Sequence, residues 1–147
     1  MQDFVWWSGL TMADARIGLD MMRRRLADDV IDGKRYWFSS SAPTVPRPRR
    51  KGYLLPLYDE YLIAYKDRSA SIEPARWRTV TIRDSLSAPI VIDGQVVGGW
   101  KRTLVKGQVT IAVDLPVRPR RAEMRLIMDA ARNLGTFLGV DAVLVRR

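Results

Sequence analysis

The spacing of apolar residues predicts helices near the start of the chain. Residues 2–10 have the pattern of a helix end that stops at Gly9, because glycine readily adopts the left-handed conformation that ends a helix. A second helix is predicted from Met12 to about Ala27, with Thr11 as its N-cap. One core-facing stripe recurs along it at helical spacing, formed by Ala15, Leu19, Met22 and Leu26.

Short apolar runs separated by turn residues predict strands in two places. Val30-Ile31 and Tyr36-Trp37-Phe38 flank the dipeptide Asp32-Gly33, which is typical of a tight β-hairpin. A three-stranded meander follows later in the chain, with predicted strands at residues 90–92, 96–105 and 109–115 and turns at Asp93-Gly94 and Lys106-Gly107. Glycines weaken a strand interior, so Gly98-Gly99 predicts a bulge, a sharp coil or a close backbone approach.

The C-terminal pattern predicts a long helix and one further strand. The helix extends from about Arg121 to Leu138 and ends at Gly139, with a core face that includes Ile127 and Ala131. A last strand, residues 142–145, is predicted to close the sheet.

The stretch from Leu54 to Ser71, LLPLYDEYLIAYKDRSAS, fits neither strict alternation nor one helical stripe. It is predicted to be a short helical turn or strand that is buried on more than one side. Its adjacent acids, Asp59 and Glu60, are weak candidates for a general base. The favoured interpretation is structural: Asp59 caps the helical turn or pairs with Lys66 or Arg68.

Composition narrows the available chemistry. The chain has no cysteine and no histidine, which excludes disulfides, thiolate chemistry, serine–histidine relays and the commonest metal ligands. No metal site and no cofactor are expected. A hydrophobic fraction of 47% is ordinary for a soluble protein, and no apolar run approaches the roughly 20 residues that cross a bilayer. A cytoplasmic, bacterial-type protein without a membrane partner is expected.

Positive charge is concentrated at the two ends of the chain. Residues 1–52 carry ten cations against six anions, residues 53–115 eight against seven, and residues 116–147 seven against three. This distribution favours a polyanionic partner over solubility charge spread evenly along the chain. Arg118, Arg120 and Arg121 precede the predicted C-terminal helix, where cations oppose the helix dipole and an anion would be stabilised.

Three segments together resemble one protein family. They are Phe4-Val5-Trp6-Trp7-Ser8-Gly9-Leu10-Thr11, residues 54–70 with the motif LPLYDEYLIAYKDRS, and the hairpin Asp93-Gly94-Gln95-Val96-Val97-Gly98-Gly99-Trp100. The family is the bacterial winged-helix DNA-binding-domain proteins, which include the AlkZ-like glycosylases of alkylated and crosslinked DNA. The resemblance spans nearly the whole chain but is to the C-terminal part of such proteins.

The resemblance implies DNA as the partner but does not transfer the catalytic residues. Relatives are attributed a Gln-x-Gln-type motif in their N-terminal half. This chain has only Gln2, Gln95 and Gln108, and none has glutamine or aspartate two residues later. The chain alone is therefore not expected to be a glycosylase.

The predicted fold is α+β: a partial winged helix, made of a helix and a β-hairpin wing, then a small antiparallel sheet and a C-terminal helix. A barrel-like curl of the sheet is one interpretation of the glycine pair. The expected division is a partial winged-helix unit at residues 1–41, a basic Pro/Ser linker at 42–52 and a β-rich domain at 53–147. A neighbouring domain, protomer or partner is expected to cover Trp6, Trp7, Ile17 and Met21.

The predicted function is a DNA-binding module that contacts the duplex phosphate backbone. Two alternatives stay open: glycosylase activity retained or completed by an N-terminal part, and a protein-interaction or regulatory remnant. The residues predicted to contact DNA are Arg47, Arg49, Arg50, Lys51, Lys66, Arg68, Trp100, Lys101, Arg102, Arg118, Arg120, Arg121 and Arg125.

Overall fold

The computed structural model describes residues 1–43, 50–73 and 87–146, which form two compact units. The first unit comprises the described part of Met1–Pro48 together with Ile63–Asp67, and the second comprises the other described residues. The α-helices are α1 (Gln2–Ser8), α2 (Met12–Met22), α3 (Glu60–Ile63) and α4 (Arg121–Leu138), with a 3₁₀ turn at Arg23–Arg25. The strands are β1 (Leu26–Ile31), β2 (Lys34–Ser39), β3 (Gly52–Leu54), β4 (Ala88–Ile92), β5 (Gln95–Val105), β6 (Gln108–Asp114) and β7 (Asp141–Arg146).

Helix α2 of the first unit is shorter than predicted. Its start is confirmed, because the Thr11 hydroxyl accepts a hydrogen bond from the Asp14 backbone N–H at 3.2 Å. The predicted end at Ala27 is wrong, since the chain turns through Arg23–Arg25 into β1. Leu26 and Ala27 pair with Ser39 and Phe38 in the hairpin, which takes them out of the predicted helical stripe.

The predicted hairpin is confirmed. Strands β1 and β2 pair antiparallel, and Ile31 lies opposite Lys34 across the turn. Asp32 and Gly33 have φ angles of 51° and 74°, as expected for a two-residue turn that matches the twist of the strands. The order of α2, β1 and β2 agrees with the predicted partial winged helix, but assignment to that class stays a prediction.

Polar contacts tie the segment Ile63–Asp67 to helix α1. The Trp6 indole N–H donates to the Ile63 carbonyl at 2.9 Å. One carboxylate oxygen of Asp3 accepts from the backbone N–H groups of Lys66 and Asp67, each at 3.0 Å. The hydrogen bond that Lys34 donates to Asp67 raises the pKa of Lys34 above its usual value. Side-chain hydrogen bonds thus connect parts of the first unit that lie far apart in sequence.

The second unit is built on a five-stranded sheet in the order β3-β4-β5-β6-β7. The meander β4-β5-β6 confirms the prediction, and its turns carry positive φ at Asp93-Gly94 and Lys106-Gly107. The last predicted strand is also present, but the prediction of an antiparallel sheet is wrong here: β7 follows helix α4, which returns the chain to the other end of the sheet, and it pairs parallel to β6 at one edge. Strand β3, at the other edge, was not predicted because it covers only Gly52–Leu54.

Helix α4 packs on one face of this curled, half-barrel sheet and forms the main core with it. A Cβ atom added to Gly52 in β3 would lie 2.8 Å from the Leu126 carbonyl oxygen of α4. A Cβ atom on Gly135 of α4 would lie 2.7 Å from the Ala142 Cβ of β7. Helix α4 therefore approaches both edge strands closely. The buried residues of this core are Ile90, Ile92, Trp100, Val109, Ile111, Val113, Leu115, Ile127 and Ala131.

Gly98 is required by close packing at a β-bulge. The register between β4 and β5 shifts at Ile90/Val91, so Val97 has no direct partner, which confirms the predicted irregularity. A Cβ atom on Gly98 would lie only 2.3 Å from the backbone oxygen of Asp114. A side chain cannot be accommodated there without moving the main chain.

The stretch from Leu54 to Ser71 is more exposed than predicted. It contains the end of β3 and the four-residue helix α3. Leu62 and Leu55 pack against a small second core of Ile72, Val91 and Val96. Tyr58 is 78% exposed, so the prediction of burial on more than one side is wrong.

Among the described residues, no helix combines the length and the apolar character that crossing a membrane requires. The predicted linker at residues 42–52 is described only in part, so the predicted domain division stays a prediction.

Candidate nucleic-acid interface

Four arginines surround the start of helix α4 and form the centre of the candidate site. Arg120 is the N-cap residue, Arg121 begins the helix, Arg125 follows one turn later, and Arg118 precedes the cap. All four are exposed, and within the described residues none of their guanidinium groups forms an ion pair. We call Arg118, Arg120, Arg121 and Arg125 the α4 cluster.

The electrostatics at this helix end are unfavourable for cations. The free N–H groups of the first turn carry partial positive charge, so each nearby cation costs about 0.3–1 kcal/mol. The Glu123 carboxylate offsets part of this cost by accepting the Arg120 backbone N–H at 2.7 Å. The α4 cluster adds four positive charges to one negative charge in this region, and an anion would be stabilised beside it.

The basic character continues along one flank of α4. Arg121, Arg125 and Arg132 are spaced by four and seven residues, which places them on the same side of a helix. Arg132 is partly neutralised by Asp129, with 3.0 Å between guanidinium nitrogen and carboxylate oxygen. Positive charge on this flank is therefore least compensated at Arg121 and Arg125.

Arg50 and Lys51 lie just before β3, beside the turn that joins β4 to β5. The Arg50 side chain donates to the Asp93 carboxylate at 2.6 Å, and the Lys51 backbone N–H approaches the other oxygen at 3.3 Å. The hydrogen bond and the charge of Asp93 raise the pKa of Arg50, with a smaller contribution from the charge of Glu123. Gly52, two residues later, lies against Leu126 of α4, which places Arg50 near this helix. Arg50 is thus near α4, but its charge is already paired with that of Asp93.

Lys101 and Arg102 do not face the same way. Neighbouring residues of a strand point to opposite faces of the sheet. Arg102 lies opposite Ile111 on the face that carries the main core, and Lys101 lies opposite Ala112 on the other face. Arg102 is exposed, whereas Lys101 is half-buried and has an interaction partner. The pair cannot hold one phosphate from the same side.

Trp100 and Arg68 make contacts within the fold. Trp100 is 8% exposed, and its indole N–H donates to the Leu55 carbonyl at 2.8 Å. Arg68 is half-buried, and its Nε donates to the Leu62 carbonyl at 3.0 Å. These contacts favour structural roles for both side chains over exposed contact surfaces. Lys66, in the first unit, is exposed.

The catalytic candidates also have a structural explanation. The Asp59 carboxylate accepts from the Tyr61 backbone N–H at 2.9 Å, and its carbonyl accepts from the Leu62 N–H. Asp59 is therefore the N-cap of α3, as the favoured interpretation predicted. Glu60 is exposed and has an interaction partner of its own.

Other predicted contacts lie outside the described residues, namely Arg47 and Arg49. Two further arginines, which were not among the residues predicted to contact DNA, are also candidates for phosphate contacts. Arg24 and Arg25 occupy the exposed 3₁₀ turn at the base of the hairpin, and neither side chain has an ion-pair partner within residues 1–43, 50–73 and 87–146. The signal for them was the run of three arginines immediately before the first strand.

Comparisons with known proteins agree with the sequence motifs. The family model "DNA glycosylase AlkZ-like" matches residues 1–137. The fold is similar to that of the Streptomyces sahachiroi DNA glycosylase AlkZ, with a TM-score of 0.72 at 20% sequence identity. That match covers 99% of this chain and 41% of the AlkZ chain. A comparison with proteins of curated function gives no match.

Residues of the three family motifs form hydrogen bonds with one another in both units. The Trp6 indole contacts the Ile63 carbonyl of the second motif, and the Tyr61 hydroxyl donates to the Gly94 carbonyl of the third motif at 2.6 Å. Since the family model spans nearly the whole chain, the protein belongs to the AlkZ-like DNA glycosylase family.

Proposed function

We propose that this chain is a DNA-binding module that holds the phosphate backbone of a duplex through the α4 cluster. The observation that carries the proposal is the placement of four exposed arginines, without ion-pair partners among the described residues, at a helix N-terminus. Guanidinium groups bind phosphate oxygens through paired hydrogen bonds. The free N–H groups at the helix N-terminus also attract the negative charge of a phosphate. Membership of a DNA glycosylase family supports DNA as the polyanion.

The other residues predicted to contact DNA differ in how strongly they are expected to bind the phosphate backbone. Lys51 and Arg102 are exposed and provide further backbone contacts. Arg50 joins them with a weaker effect, because Asp93 already neutralises part of its charge. Arg47, Arg49 and Lys66 are proposed to contact phosphates because of their charge alone. Lys101 is proposed as a weaker contact. Trp100 and Arg68 act indirectly, by holding the strand and the α3 region in place.

In the first unit, α2 with the β1–β2 hairpin acts as a partial winged helix that supports the module. Insertion of α2 into the major groove is disfavoured, because Asp14 and Asp20 would repel phosphates and Arg23 is within 3.7 Å of Asp20. Arg24 and Arg25 are the residues of this unit best suited to a backbone contact.

Salt dependence tests the proposal directly. A labelled duplex is titrated at rising salt with the natural chain and with a variant in which all four arginines of the α4 cluster are replaced by glutamine. Each lost phosphate contact removes about 0.9 from the slope of log affinity against log salt, so the variant's slope is expected to be shallower by about 3.6. Circular dichroism confirms that the variant is folded.

The matched control is Lys106→Asn. Lys106 is an exposed cation with φ 44°, a conformation that asparagine tolerates. Its neighbour Gly107 and the helix-ending Gly139 line one surface depression, so Lys106 lies near the C-terminal end of α4. We expect an unchanged slope for this control. Absence of binding at low salt would reject the DNA-binding function, and equal slopes for the natural chain and the fourfold variant would reject the α4 cluster as its site.

Release of an alkylated or crosslinked base is a second candidate function, favoured by the family match. The Gln-x-Gln-type motif attributed to relatives is absent here, so we propose that such activity requires a further part of the protein. Base release from alkylated duplex is measured with the natural chain and with Asp59→Asn. Asparagine caps a helix as well as aspartate does, so this substitution removes only the charge. Release by the natural chain alone would contradict the proposal, and its loss in Asp59→Asn would assign that activity to Asp59.

A protein-interaction function is favoured by the exposed side chains of α1 and α2. Trp6, Trp7, Ile17 and Met21 are 56%, 59%, 59% and 80% exposed. We propose that another domain, protomer or partner covers them; large exposed apolar patches mark such contacts. Sedimentation of the natural chain and of Met21→Glu tests this: self-association that the substitution abolishes, with no affinity for duplex, would make interaction the main function.

A further inference from the structure

Strand β7 ends at the end of the sheet where helix α4 begins. Strands β6 and β7 pair parallel, and Val113, next to the last residue of β6, lies opposite Arg146, the last residue of β7. Because the two strands run in the same direction, both finish at the same end of the sheet. Only residues 115–120 separate β6 from α4, so the helix begins near that end as well. Arg146 and the α4 cluster are therefore neighbours in space, although they are far apart in sequence.

The packing of α4 on β7 gives the position of Arg146 along the helix. A Cβ atom on Gly135 would lie 2.7 Å from the Ala142 Cβ, so these two residues are level with each other. Only two residues separate α4 from β7, so the chain reverses direction between them. Arg146 is about 13 Å beyond Ala142 along the strand, which corresponds to about nine residues back along the helix. Arg146 is therefore level with the turn of α4 that carries Arg125.

Arg146 lies on the face of the sheet that α4 covers. Side chains of a strand alternate between faces, so Arg146 shares a face with Ala142 and Leu144, which pack against the main core. Asp114 ends the neighbouring strand β6, but it lies on the opposite face and has an interaction partner of its own. The Arg146 guanidinium is thus on the same side of the sheet as the arginines of α4.

Two arginines of the α4 cluster lie on the helix flank that faces β7. Met128 and Arg132 of this flank line one surface depression together with residues of β7. Seven residues make nearly two helical turns, and Arg121 and Arg125 come seven residues before Met128 and Arg132. Arg121 and Arg125 therefore project from the same flank, towards the strand that Arg146 ends.

The positive charge at this end of the second unit is poorly compensated. Arg146 is exposed and, like the α4 cluster, forms no ion pair with residues 1–43, 50–73 or 87–146. The Glu123 carboxylate at the start of the helix already accepts the Arg120 backbone N–H. Like charges that are gathered in one place repel one another and oppose the compact state. A ligand with several negative charges in a row, such as the phosphate backbone of DNA, would offset this repulsion through hydrogen bonds to the guanidinium groups.

We propose that Arg146 is a further DNA-contacting residue and that the phosphate backbone lies along the β7 flank of α4, in contact with Arg121, Arg125 and Arg146. This inference rests on the proposed function of the chain as a DNA-binding module. It adds one contact, and it adds the side of the helix on which the backbone passes. The other flank of α4 carries Leu126, which lies against Gly52 of β3.

A salt titration tests the contact made by Arg146. A labelled duplex is titrated at rising salt with the natural chain, with Arg146→Gln and with Arg146→Lys, and circular dichroism confirms that the variants are folded. Loss of one phosphate contact should make the slope of log affinity against log salt shallower by about 0.9 in Arg146→Gln. Arg146→Lys keeps the positive charge and should keep the natural slope. Lys106→Asn, which removes a cation near the other end of α4, is the control with an unchanged slope, and an unchanged slope in Arg146→Gln would overturn the inference.

A fluorescence measurement tests the side of the helix. The natural chain has no cysteine, so one introduced cysteine gives a single attachment point for a fluorophore. Met128→Cys places the fluorophore on the β7 flank, and Asn133→Cys is the matched control about 140° around the helix; both positions are exposed. A short duplex that carries a quencher is expected to quench the fluorophore more strongly at position 128 than at position 133. Equal quenching, or stronger quenching at position 133, would show that the backbone does not follow the β7 flank.

The outcomes separate this inference from the proposed function. If the natural chain does not bind the duplex at low salt, both are wrong. If the fourfold α4-cluster variant has the expected shallower slope and Arg146→Gln has the natural slope, the α4 cluster stands as the DNA site and only the added contact is wrong. If Arg146→Gln has the shallower slope and the fourfold variant does not, Arg146 contacts DNA without the α4 flank, and the proposed path of the backbone is wrong.

Discussion

The two units of this chain are stabilised by different interactions. Of the thirteen buried apolar residues described, twelve belong to the second unit, and only Ala15 belongs to the first. The first unit leaves Trp6, Ile17 and Met21 largely exposed and is held by directional contacts such as those of Asp3. The second unit therefore depends mainly on apolar packing, and the first depends more on hydrogen bonds. Substitutions of the same type should therefore have different effects in the two units.

The largest difference is expected between two isoleucines. Ile111 is completely buried in the core of the second unit, so Ile111→Ala should cost about 2–5 kcal/mol of unfolding free energy through lost burial and a cavity. Ile17 is 59% exposed on α2, and Ile17→Ala should change stability by no more than about 0.5 kcal/mol. Denaturant unfolding measures both values. Equal costs would show that the contrast between the units is wrong.

Packing is expected to be equally strict at the bulge of β5. Gly98→Ala places a methyl group where the Asp114 backbone oxygen lies 2.3 Å away, and the resulting strain should destabilise the second unit by about 1–3 kcal/mol. Gly107→Ala is the control in a turn, because no atom lies within 4 Å and only its φ of 78° opposes the change. A smaller loss is expected there, roughly 1 kcal/mol. Thermal unfolding of the two variants compares them, and a larger loss at Gly107 would contradict the packing argument.

The sequence predicted the elements whose signals are local. Asp32-Gly33 and Asp93-Gly94 mark turns because those residues tolerate positive φ, and the amphipathic pattern of α4 needs no distant partner. The end of α2 was missed, because Leu26 fits both a helical stripe and a strand. Leu26 pairs with Ser39, which lies thirteen residues later in the chain, so the apolar pattern of α2 alone does not reveal this pairing.

The candidate site was predictable in its chemistry but not in its geometry. Runs of arginine predict a phosphate partner whatever the fold, and the α4 cluster is exposed at the predicted helix end. Trp100 is buried in the main core, and its indole N–H donates to Leu55, 45 residues away. The contact of Arg68 with the Leu62 carbonyl likewise requires the turn of the chain after α3. Such contacts follow from tertiary structure and leave no periodic pattern.

A directional contact of the first unit should be more sensitive than its apolar side chains. Asp3→Ala removes the acceptor of two backbone N–H groups, so we expect a local loss of about 1–2 kcal/mol. Hydrogen exchange at the Lys66 and Asp67 amides measures it as faster exchange, with the core of the second unit unchanged. Asp20→Ala is the control: its ion pair with Arg23 is exposed and 3.7 Å long, and an effect below about 0.5 kcal/mol is expected. Unchanged exchange at both amides in Asp3→Ala would show that these hydrogen bonds do not hold the segment.

The smallest expected effect is a gain of stability at a helical glycine. Gly18 lies inside α2 with no atom within 4 Å of an added Cβ, so Gly18→Ala should stabilise the helix by about 0.5–1 kcal/mol. The same substitution at Gly135 of α4 gains the same helix propensity, but its Cβ would lie 2.7 Å from Ala142 and 2.9 Å from the Val140 carbonyl oxygen. We expect a net loss there, measured by thermal unfolding of both variants. Opposite signs for one substitution in two helices would separate local propensity from packing, whereas a gain at Gly135 would mean that α4 and β7 can move apart at little cost.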